Sequence, residues 1–212
     1  MCHFEYVSRK EAAPYKKELI EIINKVQDQV RSHFTFQFTF IGSSERNRNM
    51  ITYDPTTNRG FDFDVNIEIN DDEEYYKPKE IRDILREAFN RIAPNYGYSP
   101  CEDSTRVLTI KCIDYRRSCI LHSCDFAIVY NCKEGQQYIR YRKQSKTYTW
   151  EFQPQPYRDL KRKADALKKK NLWDEVLDIY LDKKNRNMNP DKHSRSLYAE
   201  TINECYQRHF GK

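Results

Sequence analysis

Between Phe61 and Ile69 the chain alternates without a break: Phe61-Asp62-Phe63-Asp64-Val65-Asn66-Ile67-Glu68-Ile69. In an extended strand, residues two apart face the same side. Asp62, Asp64, Asn66 and Glu68 therefore share one face, and the apolar residues share the other. Two carboxylates at i and i+2 repel each other, and the repulsion becomes useful when a divalent cation sits between them. Mg²⁺ or Mn²⁺, hard ions that prefer oxygen ligands, suit such a pair. The solvated face of an ordinary antiparallel strand has the same spacing, so D-x-D by itself decides nothing.

Two further features bear on it. The strand that precedes the pair ends in Ile41-Gly42-Ser43-Ser44, where glycine lets the backbone approach a ligand and serine hydroxyls and amides offer donors to phosphate oxygens. Later, Asp125 lies inside Leu121-His122-Ser123-Cys124-Asp125-Phe126-Ala127-Ile128-Val129-Tyr130, an apolar strand in which an unpaired charge is costly to bury. A metal ion accounts for that aspartate, and so does a salt bridge to one of the chain's many arginines. His122 and Cys124 alternate with Asp125 and so face the opposite side, where core or supporting roles suit them better than ligation.

Taken in order, the glycine-serine turn, the D-x-D strand and the later aspartate resemble the three-part signature of the DNA polymerase β-type nucleotidyltransferases. These include poly(A) polymerases, oligoadenylate synthases, the cGAS/DncV-like enzymes and small antibiotic- or protein-modifying transferases. The resemblance covers about Leu19 to Tyr130. It implies an enzyme that binds a nucleoside triphosphate (NTP) and transfers a nucleoside monophosphate to an acceptor hydroxyl, with release of pyrophosphate. It implies that Asp62, Asp64 and Asp125 are catalytic and hold two Mg²⁺ (or Mn²⁺) ions, and that Asp125 draws the proton from the acceptor. Gly42 and Ser43 would touch the triphosphate, with Ser44 and Arg46 continuing that turn. The acceptor, whether nucleotide, RNA, protein or small molecule, is left open. Synthases of the cGAS/DncV-like kind usually carry a larger helical lobe, so a minimal enzyme fits this length equally well. One departure from the family pattern is the long stretch from Gly42 to Asp62, which holds Arg46, Asn47, Arg48, Asn49, Asn58 and Arg59.

The remaining elements must position these groups. Pro14 to Arg31 carries Tyr15, Leu19, Ile22, Ile23, Val26 and Val30 at helical spacing, and His33 to Ile41 alternates phenylalanine with polar residues as a half-buried strand. Glu45 to Arg59 reads as loop. Lys79 to Ile92 is an amphipathic helix stopped by Pro94, and Arg106–Ile113, Cys119–Asn131, Gln137–Arg142 and Thr147–Phe152 read as strands. Helices follow over Tyr157–Asn171, Leu172–Asn185 and Arg195–Phe210. The expected class is α+β, a nucleotidyltransferase-like mixed sheet with flanking helices. The expected division is a catalytic core over 1–156 and a C-terminal helical part over 157–212.

The 212 residues carry 37 Lys and Arg against 32 Asp and Glu, a net charge of +5 that permits an anionic partner without demanding one. A non-catalytic nucleic-acid-binding module is the competing reading. It would use the basic helix with Lys161, Lys168 and Lys169 and the hairpin with Tyr138, Arg140, Tyr141, Arg142, Tyr148 and Trp150. Five of the seven cysteines crowd into 101–132 without any C-x-x-C, which reads as reduced, packed thiols rather than zinc or disulfides. No window is apolar enough to span a membrane, and the charged N-terminus does not resemble a signal peptide, so the expected location is cytoplasmic with no membrane partner.

Overall fold

The computed structural model describes residues 3–45, 48–71, 75–153, 159–189 and 191–211. The elements run β1 (Glu5–Tyr6), α1 (Arg9–Val30), β2 (Thr35–Ile41), β3 (Thr52–Tyr53), β4 (Phe61–Asn70), α2 (Pro78–Ile92), β5 (Glu102–Asp103), β6 (Val107–Asp114), β7 (Cys119–Cys132), β8 (Gly135–Arg142), β9 (Thr147–Phe152), α3 (Leu160–Lys169), α4 (Trp173–Arg186) and α5 (Ser194–Phe210). The chain divides into two compact units. The larger comprises Tyr6–Tyr53 and Thr57–Gln153, and the smaller the described residues of Met1–Glu5, Asp54–Thr56 and Pro154–Lys212.

In the larger unit one mixed sheet has the order β2-β4-β7-β6-β5, and β8 joins the far half of β7 and carries β9. β4 and β7 run parallel, while the other pairings are antiparallel. The alternation of β4 places Phe61, Phe63, Val65, Ile67 and Ile69 in the core. They pack there with Leu19, Ile22, Ile23 and Val26 of α1, Ile81, Leu85 and Phe89 of α2, and Cys124, Phe126 and Ile128 of β7. Phe89 stacks on Phe126 at 4.3 Å between ring centroids. Both long helices thus cover one face of the sheet, and the polar residues of β4 belong to the other.

Helix α1 begins five residues before the expected Pro14. Ser8 caps it, its hydroxyl accepting from the Glu11 amide while the Glu11 carboxylate accepts from the Ser8 amide. This box nucleates a turn upstream of the proline, and Pro14 is carried inside the helix near its start. The expected loop between β2 and β4 is largely irregular, but Met50 and Ile51 bury their side chains, and β3 interrupts it. At its end a Cβ on Gly60 would lie 1.9 Å from the Leu121 carbonyl oxygen, so only glycine lets the chain enter β4 this close to β7.

Arg82 of α2 is wholly buried and ties the helix to the outer strands. Its guanidinium bonds Asp103 at 2.7 Å and the carbonyls of Ser104 and Val107 at 2.6 and 2.9 Å, and Tyr148 of β9 donates to the other Asp103 oxygen at 2.9 Å. In the smaller unit Leu167, Val176, Ile202 and Cys205 join α3, α4 and α5 around a second core. There the Asn185 amide exchanges two hydrogen bonds with the backbone of Phe4. All six cysteines among the described residues are free thiols, with Cys101, Cys124 and Cys205 buried. No described helix is long and apolar enough to cross a membrane.

Replacing Arg82 with Ala is expected to lower stability by about 3 kcal/mol in a urea titration, because Asp103 keeps as cation only the more distant Arg86 at 3.5 Å and the carbonyls of Ser104, Val107 and Ile139 lose this donor. Arg82→Lys recovers only part of that loss, since an ammonium cannot reproduce the guanidinium fork.

Candidate active site

The polar face of β4 meets that of β7 in a fixed register. Asp64 pairs with Asp125 and Asp62 with Ser123, so the two later groups stand beside the two earlier ones on adjacent strands. Asp62, Asp64 and Asp125 accordingly share the sheet face opposite α1 and α2. His122 and Cys124 fall on the core side as alternation requires. His122 is fully buried among Tyr15, Phe61 and Phe63, and Tyr98 lies 2.8 Å from its Nε2. Burial pulls its imidazole down to about 4, so it stays neutral and belongs to the packing behind the carboxylates.

The three carboxylates differ in their support. Ser123 Oγ donates to Asp62 Oδ1, a short contact, and Thr109 Oγ1 of β6 donates to Asp125 Oδ1 at 2.6 Å. The Asp64 carboxylate accepts no hydrogen bond among the described residues, and Ser44 reaches only its backbone. Burial pushes its carboxyl up to about 6, and the charges of Asp125 and Asp62 add to the effect. Burial also raises Asp125, against the downward pull of the Thr109 hydroxyl. Lys111 of β6 pairs in register with Ser123 and so lies on the same face, but its ammonium is held by both oxygens of Glu102 at 2.6 and 2.7 Å.

The glycine-serine turn closes directly over Asp64. Gly42 has φ +62°, a left-handed conformation, and a Cβ there would lie 2.8 Å from Asp64 Oδ2. The positive φ favours glycine, and a side chain there would crowd the Asp64 carboxylate. Ser43 is partly exposed in the same single turn of 3₁₀ helix. Ser44 is buried, and its hydroxyl is spent inside the protein, 2.7 Å from the Ile41 carbonyl oxygen and 3.3 Å from the Asp64 amide that donates to it. That hydroxyl stitches the turn to β4, leaving Gly42 and Ser43 as the part of the motif beside the carboxylates. The Lys16 ammonium holds the Ser44 carbonyl at 3.0 Å, and an Arg48 guanidinium nitrogen lies 3.3 Å from the Gly42 carbonyl oxygen. Arg46 lies outside the described residues.

The donor set fits a hard divalent cation: carboxylate oxygens on one face, with a central carboxyl that its neighbours' charges disfavour and that a cation between them would relieve. Among the described residues, no group of three or more His, Cys, Asp or Glu is already drawn together to hold a metal ion. Asp62, Asp64 and Asp125 were legible from sequence. Thr109, Ser123 and Lys111 were not, because only the register of β6 and β7 brings them to this face.

Asp64 fixes a pH dependence. Its carboxyl titrates near 3.8 when unfolded and near 6 in the fold, so between those values the native state holds a proton that the unfolded chain has released. Metal-free stability is therefore expected to fall as pH rises through this window. At neutral pH without divalent cations, Asp64→Asn should melt higher by the equivalent of about 3 kcal/mol and lose that part of the slope, read by thermal unfolding from pH 4 to 8. Gly42→Ala should lower stability through its φ and its contact with Asp64.

No family model and no curated protein matches the sequence. Solved structures do. The GTP-bound form of Vibrio cholerae DncV matches with a TM-score of 0.55 at 17% identity over 93% of this chain. DncV cyclic AMP-GMP synthase with nonhydrolyzable GTP, and the same enzyme with the linear intermediate 5′ pppA(3′,5′)pG, each match with a TM-score of 0.54 at 16% identity over 89% of this chain. This chain spans about half the length of those structures, 50–52%. With its mixed sheet, flanking helices and C-terminal helices, the chain has the fold of the cGAS/DncV-like nucleotidyltransferases.

Proposed function

We propose that this protein is a divalent-metal-dependent nucleotidyltransferase that binds an NTP and passes a nucleoside monophosphate to an acceptor hydroxyl. The observation that carries the reading is the register of β4 and β7, which sets Asp64 beside Asp125 with Asp62 one step along, under a turn whose glycine touches Asp64. The fold shared with DncV, structures of which contain GTP, supports it.

Asp62, Asp64 and Asp125 would hold Mg²⁺ or Mn²⁺, which when bound neutralises triphosphate charge and polarises the α-phosphorus. The acceptor oxygen attacks that phosphorus, the bond to the bridging oxygen of pyrophosphate breaks, and the acceptor proton passes to Asp125. Asp125 is placed for this role by its register opposite Asp64 on the adjacent strand. Gly42 and Ser43 offer backbone and hydroxyl donors to the triphosphate, and Arg46 follows in the same loop. Nucleotide, RNA, protein and small-molecule hydroxyls all serve as acceptors in this chemistry.

Some cations of the surfaces that suggested a nucleic-acid module have partners within the protein. Arg140 and Arg142 both pair with Glu151 across the β8–β9 hairpin, at 3.0 and 2.9 Å. On α3, Lys161 pairs with Asp165 and Lys168 sits over the Trp173 ring.

The test is equilibrium binding of labelled ATP and GTP with Mg²⁺ or Mn²⁺, followed by product analysis. The parent chain is expected to bind at least one NTP and to release pyrophosphate. Asp62→Asn with Asp64→Asn should lower turnover by at least about 10³-fold, the range expected when transition-state charge stabilisation is removed. Absence of metal-dependent NTP binding in the parent, or unchanged turnover in the double variant, would sink the proposal.

A further inference from the structure

We propose that the hydroxyls of Thr109 and Ser123 are positioning groups for the cation-binding carboxylates, each fixing one of them while leaving its second oxygen for the ion. The inference rests on the metal-dependent reading above and names what holds the ligands in place.

The two contacts have the same construction. Each donor comes from the strand next to its carboxylate and stands at the register position directly opposite it: Thr109 against Asp125, and Ser123 beside Asp62. Each hydroxyl gives its single proton to the Oδ1 oxygen of its partner. A carboxylate has two oxygens, so one remains uncommitted on both Asp62 and Asp125. The Thr109 side chain is β-branched and stiff about its first torsion, and Ser123 is 9% exposed, so neither donor has much freedom to swing away.

Neutral donors are what such a site requires. Three carboxylates on one face repel, and without a fixed partner each turns toward water or away from its neighbours. A lysine or arginine paired with them would hold them, but it would occupy the place of the cation and cancel the charge that attracts it. The one lysine in register with this row, Lys111, is drawn off by Glu102. Hydroxyls orient the carboxylates without adding positive charge, and partners of this kind typically tune metal affinity by 10–100-fold.

The experiment is a titration of the metal-free full chain with Mn²⁺ at fixed pH, reading free ion by electron paramagnetic resonance and stability by thermal unfolding. Thr109→Val and Ser123→Ala are each expected to weaken Mn²⁺ binding by about tenfold with little change in melting temperature. Thr109→Ser, which keeps the donor, should stay within about twofold of the parent. If both hydroxyl-free variants bind Mn²⁺ as the parent does while Asp64→Asn binds it more weakly, the positioning role is wrong and the cation site stands. If the parent binds no better than Asp64→Asn, the cation site itself is wrong and the positioning role falls with it. Should Thr109→Val not fold, Ser123→Ala decides between the same outcomes.

Discussion

A parallel pair of neighbouring strands cannot be closed by a tight turn, and β4 and β7 are joined here only after the chain has travelled through α2, β5 and β6. That excursion sets where everything else lies. α2 must lie on the same face as α1 to bury the phenylalanine and isoleucine side of β4, so the opposite face is left for Asp62 and Asp64. Parallel pairing in this register then brings Asp125 level with Asp64. A slip of one residue would turn Asp125 into the core and bring Cys124 or Phe126 to the polar side. Gly60 admits the close approach at the start of the pair, and the apolar residues of both strands hold it shut beyond.

The cost of this arrangement is concentrated on one carboxylate. Asp62 and Asp125 are each satisfied by a hydroxyl, whereas Asp64 is partly buried, flanked by two like charges and covered by the Gly42 turn. Local strain of this kind persists where the surroundings over-determine it, and here the hydrophobic face of β4 does so. The left-handed Gly42 and the inward-turned Ser44 belong to the same compromise. The first makes room for the Asp64 oxygen, and the second fastens the turn through the Asp64 backbone.

Period-two alternation told the two faces of β4 apart, and the position of Gly42 at the end of the preceding strand marked the turn. Asp125 was visible because a charge in an apolar strand has to be explained. Pairing partners were not visible, since nothing in Thr109 or Ser123 says which residue will lie beside it on another strand. The motif also made Ser44 look like a ligand donor, because sequence shows that a hydroxyl is present and not which way it points. The early start of α1 follows from the Ser8–Glu11 box, which lies upstream of the apolar periodicity that begins at Tyr15.

The long route between β4 and β7 also bears on the order in which the molecule takes shape. Pairings between segments far apart in sequence form late, after nearby hairpins and helices have closed the chain. β6–β7 and β8–β9 are sequence neighbours, whereas Asp64 meets Asp125 only across the whole crossover. Thr109 can engage Asp125 within the early hairpin, so one carboxylate is already held when the other two arrive. On that tendency the β4 carboxylates meet Asp125 only after the local hairpins and helices have formed.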